Sequence, residues 1–71
     1  MAVVKTLTSG EQTDLELLVD RVGLSSVVDA LAQLCGEKAE HLRVNWQDKE
    51  SAKVWNADGS KLSTIIVKLA N

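Results

Sequence analysis

The first regular pattern of apolar positions lies between residues 9 and 22. Four apolar residues recur there at spacings of three and four, on one face of an α-helix: Leu15, Leu18, Val19 and Val22. Thr8 or Ser9 is a suitable N-cap, and Glu11 and Gln12 stand where a capping box needs an acidic or amide side chain. The sequence therefore predicts a first helix that ends at Gly23, because glycine adopts a positive φ without steric cost.

A longer apolar stripe predicts a second helix, which begins at Ser25 or Ser26. Its members keep to one face over about four turns: Val27, Val28, Leu31, Leu34, Cys35, Ala39 and Leu42. Gly36 lies inside this pattern, where glycine costs about 1 kcal/mol relative to alanine. We therefore expect another helix to approach the backbone closely at Gly36.

The last third of the chain supports two interpretations. As a helix it has a polar first turn at residues 47–50, with Asn45 as its cap, and apolar or small residues at heptad-like spacing: Ala52, Trp55, Gly59, Leu62, Ile66 and Leu69. As a hairpin it has strands at 54–55 and 62–69 around a turn at 56–59, because Asp-Gly is a strong turn signal. The helical spacing covers more residues, so we favour a helix that is interrupted or bent near Asp58 and Gly59.

These elements predict a small all-α, three-helix domain that spans residues 1–71. The alternative is two helices followed by a C-terminal β-hairpin. Residues 1–9 lack a helical pattern and form either a flexible arm or a short strand at Ala2, Val3 and Val4. A chain of 71 residues buries only about 60% of its unfolded surface, and a single cysteine excludes an intrachain disulfide. We therefore expect a homo-oligomer.

Charge and hydropathy exclude several classes of partner. Eight basic and ten acidic residues give a net charge of −2, and neither half of the chain has the basic excess that a phosphate backbone selects. No apolar run approaches the roughly 18 residues of a membrane span, and the N-terminus turns polar too soon for a secretory signal. The one unpaired cysteine, Cys35, fits a reducing compartment. We expect a cytoplasmic protein that binds neither nucleic acid nor membrane.

No catalytic or metal-binding motif accounts for the reactive side chains. Cys35 and His41 are six residues apart on the second helix, so their side chains diverge, and Cys35 lies on the apolar stripe. Glu37 and His41 are one turn apart and could supply two metal ligands, but a stable site needs two more. An ion pair at the surface is the simpler interpretation of that spacing. We expect no enzymatic activity, no cofactor and no metal.

Residues 37–48 combine charge, a histidine, a tryptophan and amides at a helix end. Here the sequence predicts the residues that bind a protein partner: Glu37, Glu40, His41, Arg43, Trp46 and Gln47. Aromatic anchors dominate the energetics of interfaces, and the chain has only two, Trp46 and Trp55. The alternative is that Trp46 and Trp55 both close the core, which is the interpretation we favour for both residues.

A helix-turn-helix is a second interpretation of residues 15–39, with Gly23 in the turn. It would make the protein a small DNA-binding regulator whose dimer collects Lys38, Arg43, Lys49 and Lys53 into a basic edge. A recognition helix, however, presents basic or amide side chains at its N-terminal end to reach base edges. Ser25, Ser26 and Asp29 stand there instead.

Three segments of the chain resemble a group of short, uncharacterised bacterial proteins that are helical. The segments are LVDRVGL at 18–24, CGEKAEH at 35–41 and NWQD at 45–48, followed by Ala52 and Trp55. The similarity covers roughly residues 15 to 58, and its Glu-Lys-Ala-Glu-His and Asn-Trp-Gln-Asp pieces are the most specific. The resemblance implies that residues 47–69 are helical, and it implies no activity.

The predicted function is that of a non-enzymatic helical interaction module, which self-associates and docks a protein partner. Five apolar residues lie off the main stripes, and a core of this size cannot cover them all: Leu17, Val44, Val54, Ile65 and Val67. Surplus apolar surface on a small domain usually marks an interface.

Overall fold

The computed structural model describes residues 5–70, and within them the chain forms three helices and no strand. These are α1 (Ser9–Val22), α2 (Leu24–Asn45) and α3 (Lys49–Ile66). The all-α, three-helix prediction is confirmed, and the alternative of a C-terminal hairpin is wrong. Helix α3 also runs without a break through Asp58 and Gly59, where we expected an interruption. Of the N-terminal arm or strand, the part at residues 2–4 lies outside the described residues.

The start of α1 is the predicted capping box. The amide of Glu11 donates to Thr8 Oγ1 at 3.2 Å, and the amide of Thr8 donates to Glu11 Oε1 at 2.8 Å. The hydrogen bond from the Thr8 backbone is the main reason that the pKa of Glu11 is lowered. These two hydrogen bonds satisfy backbone donors that have no partner within the helix. They therefore fix the residue at which α1 begins.

A single residue, Gly23, connects α1 to α2. Its backbone has φ 91° and ψ 156°, a conformation that only glycine adopts readily, and its amide donates to the Val19 carbonyl at 2.8 Å. The predicted end of α1 is therefore confirmed. Helix α2 begins at once with Leu24, one residue before the predicted Ser25.

The core lies between α2 and α3 and consists of small side chains. The buried residues of these two helices are Val27, Val28, Cys35, Ala39, Ala52 and Gly59. A Cβ on Gly59 would lie 2.9 Å from Cys35 Cβ and 3.3 Å from the carbonyl oxygen of Ala32. The close approach of two helices is thus real, but the glycine that permits it is Gly59. The backbone nitrogen of Gly36 lies 4.0 Å from the same Cβ position, so α3 does approach the backbone there, but a Cβ on Gly36 itself would meet nothing within 4 Å.

Helix α1 stands largely apart from this core. It contacts α2 over a much smaller surface than α3 does, makes no contact with α3, and contains no buried residue. Consequently part of the predicted core stripe is uncovered. Five leucine and valine residues, between 39% and 48% exposed, make up what we call the open face: Leu15, Leu18, Val22, Leu31 and Leu34.

The shape of the molecule agrees with this separation. The Cα radius of gyration is 13.7 Å, whereas a compact chain of this length has about 11 Å. Among the described residues, no helix is long and apolar enough to cross a membrane.

Candidate functional site

The candidate site is the corner at which α2 ends and α3 begins. Residues 46–48 connect the two helices, and Gln47 has a left-handed backbone with φ 51°. The amides of Trp46 and Asp48 both donate to the carbonyl of Leu42, at 3.2 Å and 2.9 Å. The corner therefore folds back over the last turn of α2, and this leaves a non-glycine residue in a conformation that costs roughly 1 to 2 kcal/mol.

Asp48 fixes the other side of the corner as the N-cap of α3. Its Oδ1 accepts from the amide of Ser51 at 3.1 Å, so the cap is Asp48 and not Asn45, which is the last residue of α2. The hydrogen bond from the Ser51 backbone holds the pKa of the Asp48 carboxyl below its ordinary value. The ionised carboxylate is thus the form that caps the helix.

Trp46 projects from this corner into solvent. The residue is 70% exposed, so the interpretation in which Trp46 closes the core is wrong. Its indole Nε1–H donates to His41 Nε2 at 3.1 Å, which ties the ring to the last turns of α2. Trp55 on α3 is 39% exposed, so it is not among the buried residues of the core, where we expected it.

His41 lies between two partners. Asn45 Nδ2 is 2.7 Å from His41 Nδ1, on the ring edge opposite the bond from Trp46. An indole N–H can only donate, so Nε2 is the acceptor of the bond from Trp46. The two contacts hold the imidazole between the last turn of α2 and the corner.

The predicted partner-binding residues are partly brought together on the outer surface of α2. An open recess of about 660 Å³ runs along that surface, and its walls are Gln33, Gly36, Glu37, Glu40, His41, Val44 and Asn45. Arg43 joins them through an ion pair with Glu40. Gln47 differs from the others, because it shapes the corner through its backbone.

Sequence reasoning missed four residues of this recess: Gln33, Gly36, Val44 and Asn45. The signal for two of them was present, because Gln33 and Asn45 fall at intervals of four with the predicted Glu37 and His41 and so share their helical face. Gly36 lies in the wall of the recess, where it contributes no side chain.

The described residues give no support to a catalytic or metal centre at this corner. Cys35 is buried in the core, whereas His41 is exposed. Within residues 5–70 no three His, Cys, Asp or Glu side chains form a group that could hold a metal ion, so Glu37 and His41 have no third ligand beside them. What the arrangement offers is an exposed aromatic ring fixed beside polar side chains.

No feature of the structure favours the helix-turn-helix interpretation. That motif joins its helices by a turn of three or four residues, and here Gly23 alone joins α1 to α2. The N-terminal end of α2 carries Ser25, Ser26 and Asp29, with no basic residue among them.

No family model matches the chain, and no curated protein or solved structure matches it at a significant level. The resemblance to short bacterial helical proteins stays a prediction. The argument about function therefore rests on the surfaces of the described residues.

Proposed function

We propose that the protein is a non-enzymatic helical interaction module, which self-associates and docks a protein partner at the α2–α3 corner. The open face is the observation that carries the proposal. The buried residues are small, while larger apolar side chains stay in contact with water. Surplus apolar surface of this kind usually marks an interaction site on a small domain.

Self-association is tested by sedimentation equilibrium at micromolar concentration. We expect a mass that rises above 7.7 kDa as the concentration increases. A mass of 7.7 kDa throughout that range would contradict this part of the proposal.

The docking part rests on Trp46. Tryptophan is among the residues that contribute most to binding energy at interfaces, and Trp46 is held in place by His41 although most of its surface is exposed. Its partner would meet an aromatic ring with Glu37, Glu40 and Arg43 nearby. A cytoplasmic location, which the unpaired cysteine favours, belongs to this proposal.

The exposure of Trp46 makes its substitution a clean test. Because the ring is outside the core, Trp46→Ala should leave the melting temperature nearly unchanged while partner capture from the source cells is lost. His41→Ala and Gln47→Ala should weaken capture too, the first by releasing the indole. Lys61→Ala is the control, since Lys61 is exposed near the opposite end of α3. Capture that is the same for Trp46→Ala and the control would refute docking at this corner.

A further inference from the structure

We infer that a second copy of this chain covers the open face, with α1 of each copy lying against α2 of the other. The inference rests on the proposed self-association and names its interface. Two helical surfaces need a partner, one on α1 and one on α2, and the structure shows why neither can cover the other within one molecule.

The surface on α2 is a core face that loses its cover along the helix. Val27, Leu31 and Leu34 recur at i, i+4 and i+7, so they share one face. Val27, close to the junction with α1, is 6% exposed, while Leu31 and Leu34 are 44% and 48% exposed. The same apolar face is therefore buried at its start and open one turn later.

The surface on α1 is the stripe of Leu15, Leu18 and Val22. It cannot fold back over Leu31 and Leu34 of its own chain, because two antiparallel helices need a connection of about two to five residues and Gly23 is the only one here. The glycine conformation with φ 91° directs α1 away instead. Each molecule thus keeps both surfaces open.

The area involved matches a second copy. The accessible surface is 5918 Å², whereas a compact monomer of this mass has about 4300 Å². The difference is about 1600 Å² per chain, twice the roughly 800 Å² that a standard complex buries on each partner. Covering it in both copies would bury about 3200 Å² in total, which lies within the range of obligate homodimers.

Symmetry and charge define the arrangement. In a two-fold dimer, each contact between α1 of one copy and α2 of the other occurs twice. One arrangement therefore covers both apolar surfaces of both copies. Asp14 precedes Leu18 by four residues on α1, and Lys38 follows Leu34 by four residues on α2. If the two helices pack antiparallel, Asp14 of one copy lies beside Lys38 of the other, with opposite charges.

The first experiment places a charge on each surface. Leu18→Asp and Leu34→Asp should each raise the dimer dissociation constant by at least about a hundredfold, because every substitution occurs twice and each loss of about 1.4 kcal/mol is tenfold. Thr13→Asp is the matched control on α1, since Thr13 is exposed and lies about 140° around the helix from Leu18. Circular dichroism verifies that each variant stays helical. Dimers that persist in Leu18→Asp and Leu34→Asp would overturn the inference.

The second experiment reverses the charges at the ends of the two surfaces. Asp14→Lys and Lys38→Asp should each weaken association severalfold, and the double variant should restore it. If the loss of dimer affinity in the double variant equals the sum of the losses in the two single variants, the antiparallel contact of α1 with α2 is refuted. A wild-type protein that stays monomeric would instead refute the proposed self-association, so the two failures are distinguishable.

Discussion

Alanine substitutions at Gly59 and Gly36 separate helix propensity from packing. Both glycines lie inside helices, so each substitution should gain about 1 kcal/mol of intrinsic helix stability. At Gly36 the new methyl group meets open space, and the full gain remains. We expect Gly36→Ala to be more stable than the wild type by about 1 kcal/mol.

At Gly59 the methyl group has no room. It would lie 2.9 Å from Cys35 Cβ, whereas carbon atoms in contact prefer about 3.5 to 4.0 Å, and the Ala32 carbonyl at 3.3 Å belongs to the backbone and cannot rotate away. Overpacking of this kind costs typically about 1 to 3 kcal/mol. After the gain in propensity, Gly59→Ala should be between unchanged and about 2 kcal/mol less stable than the wild type.

The difference between the two variants isolates the packing cost. Thermal unfolding followed by circular dichroism, at one fixed protein concentration, should give Gly59→Ala a melting temperature below that of Gly36→Ala. Each kcal/mol corresponds to about 4 to 8 °C in a domain of this size, so the gap should be at least about 4 °C. Equal melting temperatures would show that α2 and α3 do not approach closely at Gly59, and would refute the packing described here.

Three further predictions concern the corner. The pKa of Asp48 is lowered in the folded state, so the charged cap contributes its full stability above the unfolded pKa of about 3.9. That contribution is lost as the pH falls through the folded pKa. Asparagine also caps helices, so the melting temperature of Asp48→Asn should fall less between pH 6 and pH 3 than that of the wild type. Gln47→Gly should raise stability by about 1 kcal/mol in urea unfolding, because glycine adopts a positive φ without strain, and an unchanged or lower stability would contradict a strained corner. In a Trp55→Phe variant, the emission of Trp46 should change when His41→Ala removes the acceptor of the indole N–H, and unchanged emission would contradict that hydrogen bond.

The sequence predicts the helices well where local signals and tertiary packing agree. Two local signals are found at their predicted positions. They are the capping box formed by Thr8 and Glu11 and the glycine that ends α1, Gly23. Asp58 and Gly59 are the opposite case, because Asp-Gly favours a turn in isolation. Tertiary packing favours the helix over the turn at these residues, because the absence of a side chain at Gly59 permits the contact with Cys35.

The sequence indicates the corner as a candidate site but not the contacts within it. The density of polar and aromatic residues around Trp46 indicates the corner, and the structure shows the ring exposed there. The bonds of His41 to Trp46 and Asn45 depend on how the chain turns after α2, because Gln47 has to adopt a left-handed backbone. Nothing in the local sequence signals that conformation at a glutamine.

The small core and the exposed leucines of α2 have a common physical origin. Close packing of α2 on α3 requires Gly59 and small partners such as Cys35 and Ala39, and small side chains bury little apolar area. Leu31 and Leu34 stay exposed, while the one-residue junction at Gly23 leaves the apolar stripe of α1 exposed as well. In the proposed dimer both sets of side chains would supply the burial that the monomer lacks, so association would add directly to the stability of the fold.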